Sequence, residues 1–391
     1  MSKRNSSLII FFLLIYGTST IGGCAPGAPK PLHRDSSQSI LQYHKPVVPP
    51  GHKDFALKEL HRGLLFFELG NYLDADTRFA NACKVIEQIA GDEAREKAAI
   101  TGAESSKTNR GEPYERAAAY FYRGVCRYKR GDYSGALAAF RHSLACDAET
   151  RTKEQKHLED FTISHFMAAM CYWQLGEREN AEAALRIART HAPGNPYLAA
   201  GQLHKNFVGI IAVGQGPYLR PSKLDVAIKR VDCQPSQEAK VELYVDGQKC
   251  GEAAEAMDLF VQAKSQSWGE MDTVRVVKTV ARRVVAQVPV AGIAANLIQP
   301  QADIRCWRGL PRKYYIFAAD IPPGTHSLSL KFRDSQGEFL PRYDQVWFDV
   351  PVRPNAGDVF YLRSRRNCQN RHGLEPKKIT REAEPKENSK S

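Results

Sequence analysis

The chain has 391 residues, of which 43% are hydrophobic and 25% charged, and its formal net charge is +12. This length exceeds one ordinary hydrophobic core, so we expect two folded domains. A mean hydropathy of -0.43 excludes a chain embedded in the membrane over most of its length, so any membrane attachment must be local. The basic excess comes without a nucleic-acid-binding motif, and we therefore expect no nucleic acid partner.

The N-terminus has the order of charged, apolar and small residues that is typical of a secretory signal. Lys3 and Arg4 precede an apolar run over residues 8–16, which is too short to span a bilayer. Small residues then lead to Cys24, and the tetrapeptide IGGC that ends there resembles the lipobox of bacterial lipoproteins. The resemblance implies that a peptidase removes residues 1–23 and that the Cys24 thiol accepts diacylglycerol. The alternatives are an uncleaved anchor and a plain signal peptide with an incidental cysteine.

A proline-rich stretch follows this cysteine. Proline lacks the backbone N–H that a helix needs, so residues 24–52 are predicted to form a tether. Acyl chains contribute about 0.8 kcal/mol per buried CH₂, and several of them hold a protein durably on a membrane. By resemblance to sorting in enteric bacteria, the alanine after Cys24 favours the outer membrane. We expect a protein anchored by lipid in the cell envelope, facing the periplasm.

Three segments between residues 57 and 193 share one template. Each has a small residue in a first helix, a glycine at a turn, and a small and then a large apolar residue in a second helix. The positions are Gly63, Gly70, Ala75 and Phe79 in the first segment, Gly124, Gly131, Ala136 and Phe140 in the second, and Ala169, Gly176, Ala181 and Leu185 in the third. This is the tetratricopeptide pattern, and it predicts a helical repeat domain over residues 53–200.

Elementary packing accounts for the residue types in this template. Small residues let two antiparallel helices approach closely, and the large apolar residue fills the space beside them. A glycine ends the first helix in a left-handed conformation, and Asn71 and Asp132 are placed to cap the second helix. Stacking buries the remaining face. The concave face then either binds a peptide or helix, or the helices only support the other domain.

One helix of the second segment is dense in aromatic residues. Tyr114, Tyr120, Phe121, Tyr122 and Tyr128 are too many for one narrow buried stripe. They pack between repeats, or some of them face a groove or the neighbouring domain.

Helical periodicity falters from residue 193 onward, where the sequence PGNP marks a boundary. Strand-like runs follow, and Asp246-Gly247 is a turn signal between two of them. The runs occupy residues 207–213, 224–231, 241–245, 314–319, 325–332, 345–350 and 358–363. We expect an antiparallel β-sandwich-like domain over residues 201–365, with an inserted helix at about 271–297, and then a basic disordered tail over residues 366–391. The predicted fold class is α+β.

The cysteines suggest structure more than chemistry. Cys83, Cys126, Cys146 and Cys171 lie in helical apolar patterns, where cysteine is usually a small core residue. Cys233 and Cys250 stand at the ends of neighbouring strand-like runs and form a possible disulfide in an oxidising compartment. No spacing of Cys and His suits zinc, so we expect no metal and no cofactor.

The sequence contains no recognisable catalytic constellation, and we expect that the protein is not an enzyme. The best cluster of polar and aromatic residues is Asp303, Arg305, Trp307 and Arg308, which could grip a carboxylate or a sugar. The alternative is an ion pair and an aromatic side chain that lock the inserted helix onto the sheet.

Several segments together resemble a family of bacterial lipoproteins that combines a lipobox, divergent tetratricopeptide units and a β-rich C-terminal region. They are residues 111–116, 120–136, 214–223, 302–311 and 321–330. The motif IPPGTH at residues 321–326 also resembles a turn of PEGA β-sandwich modules. The resemblance implies an envelope location and an assembly role through a protein partner, and leaves the oligomeric state open. The alternative function is a lipoprotein that binds cell-wall glycan or peptidoglycan.

Overall fold

A computed structural model of the protein describes residues 48–91, 109, 111–148, 160–221, 229–267, 303–354 and 357–364. Cys24, most of the tether, the predicted helix at 271–297 and the tail at 366–391 lie outside these described residues. No helix within the described ranges combines the length and the hydropathy needed to cross a membrane.

Within the described residues, the N-terminal half forms three antiparallel helical hairpins. They are α1 (Phe55–Glu68) with α2 (Tyr72–Gly91), α3 (Pro113–Lys129) with α4 (Tyr133–Ala148), and α5 (Thr162–Gln174) with α6 (Arg178–His191). Each hairpin coincides with one segment of the repeat template, so the prediction of helical repeats is confirmed. Consecutive hairpins stack, since α2 contacts α3 and α4 contacts α5.

The turn within each hairpin closes in the same way. Gly70, Gly131 and Gly176 have φ of 76°, 80° and 81°, the left-handed region that glycine adopts without steric cost. After α1, the N–H of Asn71 donates to the carbonyl of Phe66 at 2.9 Å, which satisfies a carbonyl that the helix end leaves free. The same bond recurs after α3 and α5. The turn is therefore a local feature of the template.

The second helix of each of the first two hairpins begins with a side-chain cap. The Oδ1 of Asp132 accepts from the N–H of Gly135 at 2.9 Å, and the Oδ1 of Asn71 accepts from the N–H of Asp74 at 3.3 Å. These bonds satisfy N–H groups that lack an intrahelical partner.

The small residues of the template allow the two helices of a hairpin to touch. A Cβ atom built on Gly63 would lie 2.7 Å from the ring of Phe79, and one built on Gly124 would lie 2.5 Å from the ring of Phe140. Both rings are fully buried. Glycine is required at these two positions because any larger residue would push the helices apart.

The C-terminal half contains the strands and one further described helix. The strands are β1 (Phe207–Val213), β2 (Tyr218–Pro221), β3 (Lys229–Asp232), β4 (Lys240–Val245), β5 (Gln248–Asp258), β6 (Lys313–Ala319), β7 (Gly324–Arg333), β8 (Gln345–Val352) and β9 (Asp358–Arg363). Helix α7 (Leu259–Ser267) follows β5. The α+β class is confirmed, because helical repeats precede a β-rich region.

The strand arrangement differs from the antiparallel sandwich that we expected. Seven of the described strands form one sheet in the order β8-β7-β4-β5-β6-β1-β9, and β2 pairs with β3 separately. The sheet is mixed, since β9 pairs in parallel with β1 while the other neighbours are antiparallel. Strand β1 is a continuous apolar run that is buried on both faces, as expected for a strand inside a sheet that is covered on both sides.

The sheet curls so that its two faces join different cores. Val208 and Ile210 of β1 point into a core shared with the helices, whereas Phe207 and Ile211 point into a second core among the strands. Leu330 of β7 belongs to this second core. The two edge strands, β8 and β9, both contribute side chains to one small cavity. A single curled sheet thus packs against two hydrophobic cores, whereas a sandwich would enclose one core between two sheets.

Strand β5 and helix α7 were not predicted. The sequence GEAAEAM in β5 consists mainly of helix-favouring residues, and it forms a strand because β4 and β6 pair with it on both sides. Ala253 and Met257 are buried there. Tertiary pairing overrides the local preference.

The two cysteines considered for a disulfide, Cys233 and Cys250, are both free in the structure, and their pairing stays a prediction. Cys233 follows β3 of the small sheet, where its Sγ lies 3.1 Å from the carbonyl oxygen of Gln215. Cys250 is exposed on β5 of the large sheet. The two strand-like runs are neighbours in sequence but belong to different sheets.

Candidate interaction site

Helix α3 is the element that joins the repeats to the sheet. The Tyr122 hydroxyl lies 2.7 Å from that of Tyr361 on β9 and 3.2 Å from that of Tyr314 on β6. Near the end of the helix, the Tyr128 hydroxyl donates to the carbonyl of residue 357 at 2.9 Å, and Lys129 donates to the carbonyl of Val359 at 2.7 Å. The C-terminal half of α3 therefore lies along β9.

An aromatic cluster fills the space between the first two hairpins and the sheet. The Tyr122 ring is 5.0 Å from that of Phe67 on α1, 5.7 Å from that of Phe79 on α2 and 5.8 Å from that of Trp307. The Tyr361 ring lies 4.8 Å from that of Phe67. Edge-to-face and stacked contacts of this kind are worth about 0.5–1.5 kcal/mol beyond the area they bury. The cluster holds the two halves of the protein together.

The sequence left open whether the aromatic residues of α3 pack between repeats or face a groove or the neighbouring domain. Phe121 packs between repeats, against Phe140 and Phe161, and also reaches Tyr314 of the sheet. Tyr120 stacks on His142 at 5.2 Å. These side chains serve both repeat packing and the contact with the sheet, so they line no open groove.

A buried arginine adds a polar link between α1 and the sheet. Arg363 at the end of β9 is 6% exposed, and its Nη1 donates to the Glu68 carboxylate at 2.7 Å. The same guanidinium donates to the carbonyl of Gly309. Helix α5 also reaches the sheet, because the Gln174 side chain lies against residue 357. All three first helices, α1, α3 and α5, thus contact the β-rich half, and the sheet covers the layer of helices that a concave repeat surface would present.

A buried glutamate organises the N-terminus of α3. Glu115 is 1% exposed, its Oε2 accepts from the N–H of Glu112 at 2.8 Å, and its Oε1 accepts from the N–H of Trp307. Burial raises the pKa of Glu115 to about 7, and the backbone N–H groups of Glu112 and Trp307 oppose that rise. Glu112 itself forms an ion pair with Lys229 of β3. One carboxylate therefore joins α3 to the segment before β6.

The candidate cluster at residues 303–308 is divided between surface and core. Arg305 donates to Asp303 at 2.9 and 2.6 Å and to Asp54, just before α1, at 2.6 Å. Trp307 is fully buried in the aromatic cluster, whereas Arg308 is exposed. Asp303 and Arg305 pair as the sequence suggested, but they fasten this segment to the start of α1. The four residues therefore do not share one surface in the structure.

A small cavity lies where the two edge strands approach the end of α1. Its volume is about 160 Å³. It is lined by Phe67, Glu68, Leu69, Gly70, Tyr72, Gln345, Trp347, Tyr361 and Arg363. Pockets for drug-sized ligands measure about 300–1,000 Å³, so this cavity does not favour a small-molecule site. Within the described ranges, no group of three or more His, Cys, Asp and Glu side chains is arranged to hold a metal ion.

Comparison with known families identifies the repeats. The tetratricopeptide repeat model matches residues 118–142, which cover most of α3 and the first part of α4. The chain therefore contains a tetratricopeptide repeat. No curated protein sequence matches the chain.

Two solved structures are similar to part of the chain. One is the first tetratricopeptide domain of Spaghetti (RPAP3) bound to the HSP90 peptide SRMEEVD, with 12% identity, 37% of this chain and 86% of that chain covered, and a TM-score of 0.26. The other is a crystal structure of MamA, with 13% identity, 43% of this chain and 78% of that chain covered, and a TM-score of 0.28. Likeness at this level carries over no ligand.

The contacts between the halves are the functional feature that the sequence could not reveal. Glu115 and Trp307 are 192 positions apart, and Glu68 and Arg363 are 295 positions apart. Contacts over such separations leave no local pattern in the sequence.

Proposed function

We propose that the protein is a lipid-anchored scaffold of the bacterial cell envelope that mediates protein–protein interaction or complex assembly and catalyses no reaction. The observation that carries the proposal is the stack of three helical hairpins, one of them matched by the tetratricopeptide repeat model. Repeats of this kind present extended surfaces to other proteins. The lipobox-like tetrapeptide ending at Cys24 supports the anchor and the envelope location.

The sheet covers the first helix of each hairpin, and this limits the repeat surface that a partner can contact. Because α1, α3 and α5 contact the protein's own sheet and the end of α4 contacts α7 through Asp147 and Gln262, the repeat surface for a partner lies mainly on α2 and α6. Leu73 on α2 and Ile187 on α6 are 59% and 43% exposed, so both helices offer apolar contact area on this side. We place the partner on this outer layer of helices.

The anchor is tested by metabolic labelling with palmitate in the native host or a bacterial host. We expect label on the wild type and on Cys250→Ser, which removes an exposed cysteine elsewhere. Cys24→Ser is expected to abolish the label and to release the protein from the membrane fraction. An unlabelled wild type found among cytosolic components would contradict both the anchor and the location.

The scaffold role is tested by crosslinking in intact cells followed by mass spectrometry. We expect one defined envelope protein to be enriched, and Leu73→Glu and Ile187→Glu to lower its yield several-fold. Val261→Glu is the control, since Val261 is 56% exposed on α7, outside the repeats. A set of crosslinked proteins identical to that of an unrelated lipid-anchored protein would sink the proposal.

A further inference from the structure

The first hairpin contains a buried cluster of charged side chains that the packing of the repeats does not require. Glu59 of α1 is 2% exposed, and its Oε1 accepts from the Nη1 of Arg62 at 2.8 Å. Its Oε2 accepts from the Nη1 of Arg78 at 3.3 Å and from the Nδ2 of Asn81 at 3.1 Å, both on α2. Both oxygens of the Glu59 carboxylate thus accept hydrogen bonds from these three neighbours.

Both arginines have hydrogen-bond donors that Glu59 does not accept from. Arg62 is 5% exposed, and its Nε and Nη2, like the Nε of Arg78, are buried without a hydrogen-bond partner among the described residues. Two guanidinium groups face one carboxylate, which leaves one positive charge uncompensated among these four side chains. Burial lowers the pKa of Arg62, and the charge of Arg78 lowers it further, although Glu59 opposes both. Arg62 forms a buried ion pair with Glu59, and the surplus charge lies on Arg78, whose side chain is 24% exposed. One further anion would balance the charge of the cluster and accept from the free donors of Arg62.

The geometry of the free atoms indicates which anion fits. Nε and Nη2 lie on one edge of a guanidinium and donate two parallel hydrogen bonds, an arrangement that matches the two oxygens of a carboxylate. The surplus of one positive charge equals the charge of one carboxylate. A phosphate dianion would leave the cluster with an excess negative charge.

The position of the cluster indicates where the anion comes from. Asp76 of α2 accepts from Arg123 and Arg127 of α3 at 3.2 and 3.3 Å, so this face of α2 meets the second hairpin. Arg78 is two residues further, a rotation of about 200°, and therefore lies on the opposite side of α2. That side faces away from the next described hairpin.

We propose that Arg62 and Arg78 form a binding site on the outer side of the first hairpin for one carboxylate, presented by an Asp or Glu side chain of the protein partner. This inference rests on the scaffold function proposed above. It differs from a groove on the inner layer, because the cluster involves α2 and the inner layer is covered by the sheet.

The test uses the purified full-length lipoprotein in detergent and sodium acetate as the carboxylate probe. Sodium chloride at the same ionic strength is the reference, and the Nε–H resonances of ¹⁵N-arginine-labelled protein are recorded. We expect acetate to shift one buried Nε–H resonance with saturation and, at ten times its Kd, to raise Tm by about 3 °C. Arg62→Lys keeps the charge but cannot donate the parallel pair, and we expect it to abolish both responses. Arg186→Lys on the exposed side of α6 is the matched control and should respond as the wild type does.

Equal resonances and equal Tm in acetate and chloride for the wild type would overturn the proposal even if Arg62→Lys failed to fold. A larger response to inorganic phosphate than to acetate would overturn the assignment of a carboxylate. Because acetate binding is measured without the partner, its failure is distinct from failure to crosslink an envelope protein. If the site acts in the complex, Arg62→Lys also lowers the crosslinking yield while Arg186→Lys leaves it unchanged.

Discussion

Helices α3 and α6 belong to the same repeat stack but occupy different environments. In α6, Ala181, Ala184, Leu185 and Ala188 form a single buried stripe, and charged residues cover the rest. In α3, twelve of the 17 residues are buried, and they face α1, α2, α4, α5 and the sheet. The repeat template predicts both helices equally well, yet only α3 carries contacts that unite the two halves. Damage to α3 should therefore unfold both halves together, whereas damage to α6 should remain small and local.

The largest expected effect is from Trp307→Ala. Trp307 is fully buried against Tyr122 of α3 and Phe79 of α2, and removing a buried Trp leaves a cavity that costs about 3–5 kcal/mol of unfolding free energy. Denaturant unfolding followed by circular dichroism measures this loss, and helical and strand signals should be lost together. On α6, Ile187→Ala is expected to cost less than about 0.5 kcal/mol, because Ile187 is 43% exposed. Similar losses for both variants would remove the distinction between the helices.

The second expected effect is a pH dependence of stability that comes from the buried Glu115 of α3. The pKa of Glu115 is raised to about 7 by burial, so the folded protein binds a proton there that the unfolded chain releases at an ordinary pKa near 4.5. The contribution of Glu115 to stability is therefore complete below about pH 4.5 and is lost as the pH rises through 7. Its size is on the order of 3 kcal/mol.

Urea unfolding at several pH values tests this expectation by comparing the wild type with Glu115→Gln. The stability of the wild type relative to the variant should fall between pH 4.5 and 7. Glu179→Gln on the exposed side of α6 should show no such difference in slope. If the wild type and Glu115→Gln ran parallel over this range, the carboxylate of α3 would titrate as an ordinary surface group.

The third effect is from Gly124→Ala in α3. The added Cβ would lie 2.5 Å from the ring of Phe140, and overpacking of this kind costs about 1–3 kcal/mol. Thermal unfolding should show a lower Tm. Gly194→Ala, which has open space around the added atom, is the control and should leave Tm nearly unchanged. A wild-type Tm for Gly124→Ala would mean that the two helices of the second hairpin separate easily.

The smallest expected effect is from alanine at the turn glycines, and it should be equal in the second and third hairpins. Gly131 ends α3 and Gly176 ends α5, and both have positive φ with open space around the Cα. Alanine at either position should cost about 1 kcal/mol, because the strain of a left-handed residue is local. Equal losses in urea unfolding would show that the turns act independently of the sheet, and a much larger loss at Gly131 would show that α3 couples even its turn to the rest.

The limits of sequence reasoning follow from the same contrast between local and distant causes. The turn glycines, the caps at Asn71 and Asp132 and the close contacts of Gly63 and Gly124 depend on residues within about one hairpin, so the repeat pattern predicts them. Strand β5 was missed because its residues favour a helix and only pairing with β4 and β6 overrides that preference. The disulfide between Cys233 and Cys250 was predicted from nearness in sequence, but strand pairing places β3 before Cys233 and β5 around Cys250 in two different sheets.

The amino-acid sequence by itself determined the three helical hairpins and most of the strands, because hydrophobic periodicity and turn chemistry act over a few residues. The tertiary structure alone decided that the sheet covers the inner layer of helices, that Trp307 and Glu115 meet, and that Arg62 and Arg78 share a single carboxylate. These outcomes depend on which distant side chains exclude water together, and no local pattern encodes that choice.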